Sequence, residues 1–250
     1  MIVILSGEGP SDLGQCNNMQ GECQIPDFSI GPMTRLVDRE IESRHHYSMW
    51  DLTPESYFYI SETRLATLKE ERKKSHRNVA LTGKKKAQET GYFYVNAWML
   101  GNAALSLEER HGDRAIAVMF RDCDGSRSAA RGLWQSKWDS VLAGFERSGL
   151  RERGVPMIPK PKSEAWMLCA VRNDYQHCAA LEDLPGNDDA PNSAKAQLDQ
   201  AMGGQSSTRH QLDWLQYNGF DSDSVAAQMP SYQYFKNAMQ IALTSIMAAD

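Results

Sequence analysis

Short apolar runs that end in glycine, proline or acidic residues alternate along this chain with longer stretches whose apolar positions recur at helical spacing. That is the pattern of an α/β protein. Ile2-Val3-Ile4-Leu5 predicts a buried strand and breaks into Ser6-Gly7-Glu8-Gly9-Pro10-Ser11-Asp12. Ala115-Ile116-Ala117-Val118-Met119-Phe120 predicts another, ending in Arg121-Asp122-Cys123-Asp124-Gly125. Val155-Pro156-Met157-Ile158-Pro159 is a third, whose prolines favour a sheet edge or a strand end. Tyr57-Phe58-Tyr59-Ile60 reads as a strand or a buried segment. Apolar on both faces, the strands near 2–6, 115–120 and 154–159 are expected to be parallel neighbours with helices on both sides of the sheet.

The segments between them fit that plan. Gly14 to Gly31 is polar and reads as a long loop beside the end of the first strand. Pro32 suits the first turn of a helix that Met33, Leu36, Val37 and Ile41 continue. Tyr94, Ala97, Trp98, Gly101 and Leu105 predict a helix over 91–112, packed on the sheet. Ser126 is placed to cap a further helix through Trp134, Trp138, Val141, Leu142 and Phe145. A short helix runs from Glu164 to Val171, and Asp183–Asn192 is a loop. Beyond it, 193–202, 208–215 and 232–247 read as helices. Trp134, Trp138 and Trp166 fall on apolar helical positions, where core packing outweighs base stacking. With no repeat or interdomain linker, the expectation is one domain: residues 1–180 form the α/β core, with an inserted basic helical segment around 61–90, and 181–250 form its helical C-terminal subregion.

Composition narrows the class. At 250 residues, 41% hydrophobic and 24% charged, the chain can bury a sizeable core as an ordinary globular protein. No apolar run approaches the roughly 20 residues that span a bilayer, and the N-terminus has no leader pattern. No membrane association and a cytoplasmic location are therefore expected. The cysteines, Cys16, Cys23, Cys123, Cys169 and Cys178, are odd in number and lack Cys-x-x-Cys spacing, which fits reduced thiols better than a disulfide framework. A zinc site built from Cys16, Cys23 and His45-His46 matches no common module but stays open.

The net charge of −5 counts against a globally basic nucleic-acid binder. Basic charge is instead concentrated locally. Arg64, Lys69, Arg72, Lys73, Lys74, Arg77, Lys84, Lys85 and Lys86 supply nine of the chain's 27 Lys and Arg. They could form a solvated helix face partnered by Glu70, Glu71 and Glu89, or a phosphate-contacting arm, and Lys84-Lys85-Lys86 has no acid nearby before Glu89. The histidines are scattered without ligand spacing. The chain also lacks Gly-x-x-x-x-Gly-Lys-[Ser/Thr], so nucleotide-driven work would need a partner.

The chemistry gathers at two strand ends. In parallel α/β sheets the C-terminal edge is where ligands sit, and both acidic clusters fall there. Close carboxylates repel and raise one another's pKa, and a set of hard oxygens suits Mg2+ or Mn2+. Gly7 and Gly9 would let the backbone approach a phosphate. Plainer readings exist for each group. Glu8-Gly9-Pro10 could be a turn, Asp12 a helix cap, Asp122-x-Asp124-Gly125 a solvent turn, and Glu164 an acid favoured by a helix dipole. Lys160 and Lys162 could serve solubility or stabilise charge on a phosphate; Arg121 and Arg127 could contact phosphate or pair with neighbouring acids.

Glu8-Gly9 after the first strand and Asp122-x-Asp124 after a later one resemble the TOPRIM domain of topoisomerases, primases and OLD-family nucleases. The spacing Glu8-x-x-x-Asp12 is similar to the acidic pair that OLD-type nucleases use for a second metal. Lys160-Pro161-Lys162-Ser163-Glu164-Ala165-Trp166 and Ala190-Pro191-Asn192-Ser193-Ala194-Lys195 resemble small TOPRIM-like proteins often encoded beside ABC-type ATPases. The best-matched stretches are 2–12, 114–127 and 158–170.

This resemblance implies a TOPRIM-like (Rossmann-like) mostly parallel sheet and a Mg2+- or Mn2+-dependent nuclease. Asp122 and Asp124 would bind one metal, and Asp12 would contribute to a second. Glu8 would bind or bridge metals or act as general base. By their own position at the same edge, rather than by the resemblance, Glu164 is expected to join the metal set and Lys162 to stabilise phosphate charge. Lys84, Lys85, Lys86 and Arg127 would contact the nucleic acid, DNA rather than RNA. An ABC-type ATPase partner and a role in antiphage defence are likewise implied. Two other classes remain: a non-catalytic partner-binding or sensor subunit of an ATPase complex, and a phosphoryl-transfer enzyme with a small substrate. A topoisomerase role is disfavoured, since no separate domain is available for its tyrosine and gate.

Overall fold

In the computed structural model, which describes residues 1–75, 90–124, 132–172 and 175–248, the strands are β1 (Ile2–Gly7), β2 (Gly14–Cys16), β3 (Glu22–Cys23), β4 (Phe28–Ile30), β5 (Tyr57–Ile60), β6 (Ala115–Phe120) and β7 (Gly154–Met157). Five of them form the central sheet in the order β3-β5-β1-β6-β7. β5, β1, β6 and β7 run parallel, and only the two-residue edge strand β3 is antiparallel. The expected parallel trio is thus present, although β7 stops at Met157, before Ile158 and Pro159. Every residue of β1 and of β6 is buried, as strands covered on both faces require.

The helices are α1 (Pro32–His45), α2 (Met49–Leu52), α3 (Glu62–Ser75), α4 (Thr90–His111), α5 (Leu133–Ser148), α6 (Ser163–Val171), α7 (Ala194–Ala201), α8 (Thr208–Asn218), α9 (Ser222–Gln228) and α10 (Pro230–Met247). Strand alternation divides them into two layers. Val3 and Leu5 pack with Leu36 of α1, Trp166 of α6 and Phe235 of α10. Ile2 and Ile4 pack with Trp98 of α4 and with Val141 and Phe145 of α5. Leu198, Leu215 and Val225 belong to the first of these clusters, so the C-terminal helices share the core of the sheet.

Local chemistry explains the ends of these elements. Pro32 opens α1 in the first turn, and His46, at φ 65°, closes it by donating its backbone N–H to the Glu42 carbonyl. Buried Asp38 of α1 accepts hydrogen bonds from the Tyr57 hydroxyl (2.7 Å), the Ser48 hydroxyl (2.6 Å) and the Trp50 amide (2.8 Å), tying α1 to β5. Trp166 is fully buried and donates its indole N–H to Ser231 of α10 at 2.8 Å. Trp134 and Trp138 stack at 5.2 Å against Tyr234. All three tryptophans thus serve packing.

Some local expectations are corrected. The stretch Gly14–Gly31 is not simply a loop: β2 and β4 pair antiparallel within it, and it also supplies β3 to the sheet edge. These strands are two or three residues long and carry no periodic signal. α5 starts at Leu133 with Gly132 at its cap position, and Ser126 lies outside the described residues. No sequence pattern marks the short helices α2 and α9.

The cysteine reading is also corrected. Cys16 and Cys23 form a disulfide with Cα atoms 5.8 Å apart, and Cys169 and Cys178 form a second at 5.3 Å. The antiparallel pairing of β3 with β5 brings Cys23 back beside Cys16, which spacing alone does not reveal. Sulfurs joined to each other are not zinc ligands, so the Cys16–Cys23–His45 zinc site falls away. The cysteine pattern likewise ceases to argue for a reducing compartment. Cys123 lies outside both disulfides and is buried. Thiol titration in denaturant without reductant should count one thiol, against five after reduction. Closing such short loops stabilises by about 2 kcal/mol each, so reductant should lower the melting temperature. An unreduced count of five would refute the pairing. No helix among the described residues is long and apolar enough to cross a membrane.

Candidate active site

Three chain segments meet at the C-terminal edge of β1 and β6. The first leaves β1 at Glu8 and turns tightly through Gly9–Leu13. Gly9 sits at φ 74°, and a Cβ there would stand 3.0 Å from the Asp12 carboxylate, so the turn that presents Asp12 requires glycine. Gly7 answers a different constraint: a Cβ would lie 2.9 Å from Phe120 on β6. Close packing against β6, rather than approach to a phosphate, accounts for Gly7.

The second segment is Arg121–Asp124, leaving β6, and the third is the start of α6. Hydrogen bonds stitch them together. The Asp122 amide donates to Glu8 Oε1 (2.9 Å), and the Ser163 amide donates to Asp122 Oδ1 (2.9 Å). The Ser163 hydroxyl donates to Asp12 Oδ1, and the Ser11 hydroxyl donates to Asp12 Oδ2 at 3.1 Å. Asp12 therefore does not cap a regular α-helix; it leans across to Ser163. Ser163 joins all three segments, yet a lone serine gives no signal in the sequence beyond its place between Lys162 and Glu164.

Glu8, Asp12, Asp122 and Glu164 form the electrostatic centre. Burial raises the pKa of each. For Asp122, pushed well above the usual carboxylate range, the charges of Asp12, Glu164 and Glu8 raise it further. Asp12 does the same to Glu164. Opposing charges come from the rim. Arg121 pairs with Glu8 (3.0 Å) and Glu62 (2.8 Å). Lys162 reaches Asp124 (3.4 Å) and Asp188 (2.9 Å). Burial disfavours the Lys162 ammonium, but its hydrogen bond to Asp188 and the charges of Asp124 and Asp122 hold its pKa above the ordinary lysine value.

The sequence candidates therefore divide. Glu8, Asp12, Asp122 and Glu164 converge. Asp124, at φ 46° and with a half-exposed side chain, stands at the rim in the grip of Lys162. Asp188, unmarked in the sequence, completes that rim by pairing with both Lys162 and Lys195 (3.5 Å). Lys160 pairs with Asp183 (3.6 Å) and Glu182 (3.9 Å), an ion-pairing role that neither of its sequence readings named. Arg121 takes the acid-pairing role. On α3, Arg64 pairs with Glu71 (3.1 Å) and Lys73 with Glu70 (2.5 Å), as on a solvated helix face. Lys84, Lys85, Lys86 and Arg127 lie outside the described residues.

Among the described residues, no group of three or more His, Cys, Asp or Glu side chains could hold a metal ion as placed. The donor set is nevertheless chemically suited to a hard cation: carboxylate oxygens, buried and mutually repelling, at a sheet edge. Holding one would require these side chains to draw together. Nothing matches this chain among family models, curated proteins or solved structures.

Proposed function

We propose that this protein is a TOPRIM-like, divalent-metal-dependent nuclease that cleaves nucleic-acid phosphodiesters at the edge formed by Glu8, Asp12, Asp122 and Glu164. The observation that carries this reading is the convergence of those buried carboxylates on one sheet edge, each with its pKa raised. Such perturbed groups cluster at functional sites, and neutralisation by Mg2+ or Mn2+ would relieve their repulsion. Asp12, Asp122 and Glu164 would hold the ion, with Glu8 beside them and Asp124 at the rim. When bound, the ion would neutralise phosphate charge and acidify its water.

The chain's own groups supply the rest. The Asp122 amide and Arg121 orient the Glu8 carboxylate. Its raised pKa moves it toward the working range of a general base, able to take a proton from the attacking water. Lys162, kept protonated, places positive charge at the rim, where a phosphate would gain negative charge. The resemblance adds an ABC-type ATPase partner that loads substrate and an antiphage role.

Purified protein, alone or with that ATPase, should nick or degrade labelled nucleic acid when Mg2+ or Mn2+ is supplied, and both chelator and Glu8→Gln should stop it. Silence with every divalent ion, together with tight binding of the ATPase, would instead establish the non-catalytic sensor reading. If Lys84, Lys85 and Lys86 touch duplex phosphates, replacing all three by glutamine should flatten the salt dependence of binding. The expected change is about 0.9 log unit of affinity per log unit of salt for each phosphate no longer neutralised. An unchanged slope would return them to the solvated face.

A further inference from the structure

A cavity of about 240 Å3 opens beside the carboxylates, lined by Tyr92, Phe93, Arg121, Asp122, Asp124 and Lys137. Its walls differ in kind from the acidic edge. The Arg121 guanidinium lies over the Tyr92 ring at 4.5 Å and the Phe93 ring at 5.5 Å. The Lys137 ammonium lies 5.1 Å from the Phe93 ring and donates to the Cys123 carbonyl at 2.5 Å. Phe93 is buried, but Tyr92 is 46% exposed although it opens a helix whose other aromatic rings are mostly covered.

The cations here are already engaged. Arg121 bridges Glu8 and Glu62, and Lys137 is drawn to a backbone carbonyl and an aromatic face. What the cavity offers a ligand is chiefly the part of the Tyr92 ring that Arg121 leaves uncovered and the guanidinium beside it, with Asp122, Asp124 and Lys137 completing the lining. Such surfaces take planar rings by stacking. A space of this size and openness takes a single ring system and not a base pair. In a duplex, moreover, base faces are covered by their neighbours.

Building on the nuclease reading, we infer that this cavity is a nucleobase subsite: an unstacked base lies against Tyr92 and Arg121 while its phosphate lies at the carboxylate edge. The substrate is accordingly an unpaired strand, whether single-stranded nucleic acid or a frayed or flipped position in a duplex. A free nucleotide would present the same ring, and the competing probes below separate the two sources.

The test is binding, measured by fluorescence anisotropy with Ca2+ in place of Mg2+, so that it is independent of cleavage. The probes are a labelled oligothymidylate, an abasic oligonucleotide of equal length, the corresponding duplex, and thymidine 5′-monophosphate as competitor. Wild type should prefer the oligothymidylate over the abasic strand and the duplex. Tyr92→Leu should weaken oligothymidylate binding about tenfold or more, leaving the abasic strand unaffected. Tyr92→Phe should restore the affinity, which separates loss of stacking from loss of structure. Monophosphate competing as well as the strand would assign the subsite to free nucleotides. Equal binding of abasic and base-bearing strands, or no effect of Tyr92→Leu, would overturn the subsite even if metal-dependent cleavage persists. Conversely, Tyr92-dependent strand binding without cleavage would keep the subsite and remove the nuclease.

Discussion

Asp122→Asn should stabilise the metal-free protein at mildly alkaline pH and reduce metal-dependent cleavage about a hundredfold or more. Asp122 is buried among Asp12, Glu164 and Glu8, and its pKa is raised first by desolvation and then by those charges. A carboxylate whose pKa is higher in the folded state destabilises the fold wherever it is ionised there. The native state then binds more protons than the unfolded one, so stability falls as pH rises through the folded pKa. Glu8, Asp12 and Glu164 share the sign. Metal-free wild type should therefore melt at higher temperature as pH is lowered from alkaline toward the ordinary carboxylate value of about 4. Asp122→Asn should flatten this dependence, and Mg2+ should raise the wild-type melting temperature most at the alkaline end. A wild-type profile that falls steadily on acidification over this range would contradict the electrostatic account. Acids with lowered pKa, such as Asp51 and Asp221, act in the opposite sense only below that window, whereas His45, lowered by burial, opposes the four carboxylates within it, below the ordinary histidine value of about 6.5.

Trp166→Ala should cost about 3–5 kcal/mol. The side chain is fully buried, packs against Tyr232 at 4.9 Å and Phe235 at 5.7 Å, and bonds Ser231. Its loss opens a cavity between α6 and α10 and strands the Ser231 hydroxyl. At a few degrees per kcal/mol for a chain of this size, the melting temperature should fall by about 10 °C or more. Because α6 begins with Ser163 and Glu164, activity should fall even where the variant remains folded. Trp166→Phe, which keeps most of the volume, should lose much less. A shift of only a degree or two in Trp166→Ala would show that α6 is not anchored there.

Much of the sheet can be read from the sequence because β1 and β6 are buried on both faces and so appear as unbroken apolar runs. β3 cannot, because two residues at an edge carry no periodicity. The carboxylates Glu8, Asp12, Asp122 and Glu164 are legible from their positions at element ends, since topology alone carries those ends to one edge. The finer sorting is not legible. Asp124 follows Asp122 by two residues, yet the backbone turns it to Lys162. Asp188 enters from a distant loop, and Ser163 becomes a junction only when α6 docks. The disulfides depend on strand pairing in a segment without pattern, and Tyr92 depends on the rotational setting of α4.

A divalent-metal site built from these carboxylates is tested most directly by Mn2+ titration calorimetry of wild type beside Asp122→Asn, on protein stripped with chelator. Saturable binding in wild type that disappears in Asp122→Asn, while the variant stays folded, is the predicted result. Equal Mn2+ affinity in the two proteins, or no binding to wild type, would contradict it.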